Sequence, residues 1–222
     1  MSETGILHLQ GVTVSLGGRA LIAGLELAVA AGEIVTVMGP SGCGKSTLLA
    51  WLCGGVAPAF RVTGRALLNG AEITALPPET RHIGILFQDD LLFPHLSVGE
   101  NLAFGIPPGI DRAGRAARIA AALVEAELPG FADRDPGTLS AGQRARVALM
   151  RTLLSEPKAL LLDEPFGKLD AGLRGRIRRF VFDHAAERRL PVLLVTHDPD
   201  DAAAAGGRVI EIGVAAGEDN GC

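Results

Sequence analysis

The sequence predicts an α/β fold with an antiparallel β subdomain at its N-terminus and an α-helical subdomain inserted into its middle. Three observations predict it. The chain opens on strand-like period-two alternation. Short apolar runs then alternate with helical patterns, as in a parallel sheet. Between Leu91 and Ser155 no convincing strand occurs.

Taken in order, Ile6–Val14 alternates apolar and polar residues, and Leu25–Val29 repeats the pattern after a turn at Gly17–Gly18. Ile34–Met38 is a short apolar run ending in glycines, which suits a buried strand, and Ser46–Cys53 turns helical. Leu67–Leu68 and Ile83–Phe87 read as further strands, set apart by turn residues at Asn69–Gly70 and Pro77–Pro78. Arg112–Leu128 and Gly142–Leu154 read as helices of the inserted lobe. Strand signals return at Ala159–Leu162, Val192–Val195 and Val209–Ile212, with a helix at Gly172–Arg188. The expected organisation is a single domain: an α/β core over 1–90 and 156–212, a helical subdomain over 91–155, and a loose tail over 213–222.

Composition narrows the function classes. The 222 residues carry 21 Lys+Arg against 25 Asp+Glu, a formal charge of −4, which makes general nucleic-acid binding a poor expectation. The longest runs free of charged residues, Thr4–Gly18 and Ser46–Phe60, are 15 residues each. A bilayer-spanning helix needs about 20 mostly apolar residues, so no span is expected. Met1–Gln10 lacks the pattern of a secretory signal. Three cysteines without a C-x-x-C pair argue against a disulfide framework or zinc site and suit a reducing cytosol.

Gly39, Pro40, Ser41, Gly42, Cys43, Gly44, Lys45, Ser46 and Thr47 spell G-x-x-x-x-G-K-[ST] between an expected strand and an expected helix. Small residues let successive backbone N–H groups turn inward as an anion nest, and the helix adds its positive dipole end. Lys45 is expected at the β- and γ-phosphates, and Ser46 at Mg²⁺. Cys43, inside the loop, is expected to be shielded from maleimide by a bound nucleoside triphosphate. The loop alone marks nucleoside triphosphate binding and does not separate kinases, GTPases and ATPases. At the end of the run Ala159–Leu162, Asp163 and Glu164 place two carboxylates where an α/β sheet carries its chemistry. The first is expected to hold Mg²⁺ or its water, the second to orient an attacking water.

Leu139, Ser140, Ala141, Gly142 and Gln143 resemble the LSGGQ signature of ATP-binding cassette proteins, with Ala141 in the usual first glycine position. Gln143 precedes Asp163 by 20 residues, as that family's pattern has it. The resemblance covers nearly the whole chain and implies a P-loop NTPase (RecA-like) core. It makes Gln88 the Q-loop glutamine near Mg²⁺ and the γ-phosphate, Asp170 a dimer contact, and His197 the switch histidine. It implies ATP and Mg²⁺ as cofactors, and a homodimer in which Ser140 and its neighbours grip the nucleotide of the other subunit. Where the family carries an aromatic residue stacked on adenine, this chain has Leu16, and it has no tyrosine. Loose discrimination between bases is the expectation.

Within the family, Glu164-Pro-Phe-Gly-Lys-Leu-Asp170 and Phe87–Leu102 are similar to importers of the thiamine, polyamine, sulfate and iron group, and most similar to a poorly characterised thiamine-like bacterial importer ATPase. That implies an ATPase bound through a membrane permease to the cytoplasmic face of the inner membrane, with a periplasmic solute-binding protein as indirect partner. The permease is expected to dock near Gln88–Phe93, where Leu91, Leu92 and Phe93 either form the patch or pack the helical lobe. Cassettes of DNA repair, chromosome architecture or translation need longer insertions or a second cassette than 222 residues hold. A soluble nucleotide kinase is a further alternative. On the helix at 172–188, Arg174, Arg176, Arg178 and Arg179 are expected to form the solvated face opposite Leu173, Ile177, Phe180 and Val181.

Overall fold

The computed structural model describes residues 6–213; the rest of the expected tail lies outside the described residues. The chain begins with β1 (Leu7–Leu16) and β2 (Arg19–Val29), followed by β3 (Ile34–Met38) and α1 (Lys45–Leu52). Next come β4 (Phe60–Leu68), β5 (Ala71–Glu72) and β6 (Ile83–Leu86). Three helices, α2 (Val98–Gly105), α3 (Arg112–Glu125) and α4 (Ala141–Leu154), separate β6 from β7 (Ala159–Asp163). The described chain closes with α5 (Ala171–Glu187), β8 (Val192–Thr196), α6 (Pro199–Ala205) and β9 (Arg208–Glu211).

Two sheets result. The order β2-β1-β4-β5 is antiparallel, as the alternation in β1 and β2 predicts, and the order β6-β7-β8-β3-β9 is parallel. The parallel strands are apolar on both faces because each face buries a different core. Leu161, Leu193 and Val195 pack with Val35, Val37, α1 and the antiparallel sheet. Their neighbours Leu160, Leu162, Val192 and Leu194 pack with residues of α2 to α5 on the other face. Burying one such side chain contributes about 1.5–3 kcal/mol, so each strand is fixed from both sides.

Two helices go beyond the sequence expectation. In α2, Ser97 and Glu100 form a capping box, and buried Asn101 donates to the Phe93, Leu96 and Ser97 carbonyls while accepting from Phe93 N–H. In α6, Asp198 caps the first turn and Pro199 occupies its first position, where a missing N–H costs nothing. β4 runs from Phe60, well before the Leu67–Leu68 signal, and pairs with most of β1.

Parallel register aligns the strand ends. Met38 lies beside Thr196, Asp163 beside Val195, and Leu86 beside Leu162. The segments leaving β3, β6, β7 and β8 therefore emerge along one edge of the sheet, where an α/β fold concentrates its chemistry.

Candidate functional site

The segment between β3 and α1 closes into a tight loop. Gly44 caps α1 at φ +97°, and a Cβ there would sit 3.3 Å from Leu21 Cβ of β2, so only glycine lets the loop seat against the antiparallel sheet. Lys45 is buried, and its ammonium donates to the Gly39 carbonyl at 2.7 Å and the Pro40 carbonyl at 2.9 Å. Cys43 corrects an expectation. It is 1% exposed, with Sγ 3.8 Å from Lys45 Nζ, so the thiol packs beneath the loop and is closed to maleimide before any nucleotide shields it.

A cleft of about 490 Å³ opens over the loop, lined by Ser41, Gly42, Gly44, Lys45, Ser46 and Thr47, with Phe60, Phe87, Gln88, Asp89, Leu91, Asp163 and Glu164 completing its walls. Of the residues singled out from the sequence it gathers the middle and end of the loop, Gln88 and the two carboxylates, and leaves out Gly39, Pro40, Cys43, Asp170 and His197. Leu16, at the end of β1 and 41% exposed, is not part of the wall; its cross-strand partner Phe60 is.

The two carboxylates differ. Ser46 Oγ donates to Asp163 Oδ1 at 2.9 Å. Burial pushes the Asp163 carboxyl above its ordinary range, against the lowering effect of the Ser46 hydrogen bond, and the neighbouring charge of Glu164 adds to the rise. A half-buried carboxylate raised in this way gains from a cation placed beside it. Glu164 follows at φ +48°, a left-handed conformation that costs a non-glycine residue on the order of 1–3 kcal/mol. Its N–H donates to the Val195 carbonyl at 2.9 Å, and its Oε1 lies 3.0 Å from Nδ1 of exposed His197. The structure therefore brings His197 to Glu164, beside the cleft.

Gln88 emerges from β6 into the cleft, against Gly167: a Cβ on that glycine would lie 3.0 Å from Gln88 Nε2. The acids after it, which the sequence reading passed over, tie this loop down. Asp89 pairs with Lys168, and Asp90 with Arg144 of α4 at 3.3 Å. Burial raises the Asp90 carboxyl, while Arg144 pulls it back. Arg151 of α4 donates to the Leu91 carbonyl at 2.8 Å. Adjacent acids and distant arginines carry no local spacing signal, so only the fold reveals these pairs. Beyond them, Leu91 (55% exposed), Phe93 and Phe104 (69% exposed) border a groove of about 500 Å³, Phe93 packing tilted against Phe104 with ring centroids 4.7 Å apart, whereas Leu92 packs in the helical core.

Leu139, Ser140, Ala141, Gly142 and Gln143 do not line the cleft. Ser140 caps α4: its Oγ accepts from Gln143 N–H at 3.3 Å, and Gln143 Oε1 accepts from Ser140 N–H at 2.9 Å. Leu139 is buried, and a Cβ on Gly142 would sit 2.6 Å from Leu173 Cδ1, so glycine permits the contact between α4 and α5. Asp170 caps α5 by accepting from Leu173 N–H at 3.0 Å. Along α5 the arginines divide, correcting the expected solvated face. Arg174 pairs with Asp198 at 2.6 Å and Arg178 with buried Asp201, because α6 packs there, and only Arg176 and Arg179 are exposed.

Among the described residues no helix is long and apolar enough to cross a membrane, and no group of three or more His, Cys, Asp or Glu is placed to hold a metal ion. A model of the ABC transporter family matches residues 22–167. The chain is 47% identical over 199 residues to the uncharacterized ABC transporter ATP-binding protein YnjD of Escherichia coli (strain K12), covering 90% of this chain and 92% of that one. It is 46% identical to the thiamine import ATP-binding protein ThiQ of Cereibacter sphaeroides, covering 89% and 84%. It is 44% identical to the Fe(3+) ions import ATP-binding protein FbpC 3 of Rhodococcus jostii, of whose length it spans 59%. Among solved structures, the dimeric bacterial ABC transporter cassette MJ0796 matches with a TM-score of 0.75 at 31% identity, over 93% of this chain and 94% of that chain. The chain belongs to the ABC transporter family as an ATP-binding domain of its ATPases.

Proposed function

We propose that this chain hydrolyses ATP as the motor subunit of a bacterial importer for a small solute, working as a homodimer. One observation carries the hydrolytic reading: the carboxylates of Asp163 and Glu164 share a cleft with Lys45 and with Ser46, which is hydrogen-bonded to Asp163. The loop N–H groups and Lys45 bind the triphosphate. Glu164, paired with His197, orients and polarises the attacking water. Gln88 lines the same cleft.

The residues fit Mg²⁺. Ser46 and Asp163 are hydrogen-bonded to each other and share the cleft with Gln88, a small set of oxygen ligands that suits an ion keeping waters and nucleotide oxygens around it. The raised Asp163 carboxyl is the group a cation would relieve. When bound, Mg²⁺ neutralises charge developing on the phosphates.

The fold is read as a core over 1–90 and 156–212 with a helical subdomain over 91–155. In the homodimer, Leu139, Ser140, Ala141, Gly142 and Gln143 of one protomer complete the nucleotide site of the other, with Asp170 at the contact. The dimeric cassette relative supports this arrangement. Importer function is supported by the thiamine and iron relatives. The permease docks at Gln88–Phe93, where Leu91 is the exposed apolar residue, which places the chain at the cytoplasmic face of the inner membrane with a periplasmic solute-binding protein as indirect partner. No nucleic acid is expected as partner.

Phosphate release and light scattering after gel filtration test the proposal. Wild-type protein should release phosphate from MgATP, and Lys45→Ala should lose nucleotide binding. Glu164→Gln should bind MgATP and run as a dimer. A Glu164→Gln protein that stays monomeric in saturating MgATP counts against the sandwich, and phosphoryl transfer to a second nucleotide in place of phosphate release counts against hydrolysis.

A further inference from the structure

A nucleoside triphosphate needs a flat apolar surface for its base as well as a nest for its phosphates. The cleft wall offers two aromatic rings, Phe60 and Phe87. Phe87 precedes Gln88 on edge strand β6. In the order β6-β7-β8-β3 it lies on the far side of Asp163 and Glu164 from the phosphate loop, at the end where hydrolysis is read to occur. Phe60 belongs to the other sheet. That sheet touches the loop directly, since Gly44 packs on Leu21 and Ile22. With the terminal phosphate toward Glu164, the base extends toward Phe60.

The ring is also well held. Phe60 N–H donates to the Ala57 carbonyl at 2.9 Å, its side chain packs on the core cluster beneath the antiparallel sheet, and its remaining surface borders the cleft. Register places Leu16 opposite Phe60 across the β1–β4 pair, beside the ring and outside the cleft wall. The single tryptophan, Trp51, is buried in α1, and the sequence has no tyrosine to offer instead.

We infer that the nucleobase stacks on Phe60, and that this ring sets base affinity in place of Leu16. The inference rests on the nucleotide reading above. A phenyl face presents no hydrogen-bonding group, and every base has a π-face, so stacking here accepts adenine and guanine alike.

Calorimetric titration of the full chain with MgATP, MgGTP and Mg-tripolyphosphate tests this. Wild type should bind ATP and GTP within about threefold of each other, because stacking alone separates them little. Phe60→Leu keeps an apolar side chain but removes the π-face, and should weaken both nucleotides by about tenfold while leaving tripolyphosphate unchanged. Phe60→Trp should bind nucleotides at least as tightly as wild type. Unchanged ATP affinity in Phe60→Leu, an equal loss for tripolyphosphate, or a selective loss in Leu16→Ala alone would overturn the role of Phe60 and leave the phosphate site standing. Wild-type protein that binds neither ATP nor tripolyphosphate would overturn the nucleotide reading and the inference with it.

Discussion

Glu164 Oε1 lies 3.0 Å from His197 Nδ1, joining the segment after β7 to the segment after β8. Because Glu164 is held at φ +48° and His197 is exposed, the contact fixes the direction of the carboxylate more than it stabilises the fold. Glu164→Gln and His197→Ala should each lower phosphate release by about 10²–10⁴-fold, the range for a positioned acid or base. Residues acting as one unit lose little more when both are removed, so the double variant should resemble the slower single variant. Multiplicative losses in steady-state rates would show that the two act separately.

Asp163 exchanges stability for charge. Its folded carboxyl is raised by burial, so the folded state binds a proton more readily than the unfolded chain. The stability contribution of the protonated form is fully present below the unfolded carboxyl range and is lost as pH rises through the raised folded value. At neutral pH Asp163 is thus a net burden without a cation. Asp163→Asn can still accept from Ser46, and should raise the melting temperature at pH 7. It should also end the dependence of nucleotide affinity on Mg²⁺. Calorimetric melting at pH 7 and pH 4 would show the gain at the higher pH alone.

Buried Arg81 supports the helix behind the phosphate loop. Its guanidinium donates to the Trp51 and Leu52 carbonyls at the end of α1 and to the Thr74 and Leu76 carbonyls. Arg81→Met fills the space without a donor and leaves buried carbonyls unmet, each costing about 1–3 kcal/mol. Urea unfolding should show a loss of at least 2 kcal/mol, on the order of two such groups.

The described cysteines should be quiet. Cys43 is enclosed, and burial pushes the half-buried Cys53 thiol up to about 11, so little thiolate exists at pH 7. In a Cys222→Ser background, native protein should react slowly with maleimide whether or not MgATP is present, and urea should release both thiols. Fast labelling of Cys43 that MgATP suppresses would restore the exposed loop expected from the sequence.

Much of the site is legible because its chemistry lies at strand ends. Ile34–Met38, Ala159–Leu162 and Val192–Val195 announce themselves as apolar runs buried on two faces, and Lys45, Glu164 and His197 follow them within a few residues. The stretch that resembles the family signature is also local, a helix cap and its first turn at Ser140–Gln143. What escapes is what the fold joins from afar. Phe60 reaches the cleft only through its register with Leu16, 44 residues away, and Arg178 leaves the solvated face only because Asp201 of α6 arrives beside it. The burial of Cys43 beneath a glycine-rich loop has no local signal. α2 was readable, since Ser97-Val-Gly-Glu100 carries its capping box in plain sight.

The loop after β6 behaves as a yoke. Exposed Leu91 stands at its outer edge, while Asp89 is strapped to Lys168, Asp90 to Arg144, and the Leu91 carbonyl to Arg151. Arg144 also grips the Leu139 carbonyl at 2.7 Å, just before the cap of α4. A push on Leu91 is therefore shared at once between the approach to Asp170 and the first turn of α4. Because Arg144 and Arg151 stand on the same helix, a displacement of this loop would bear on α4 at two points, one in its first turn and one in its last.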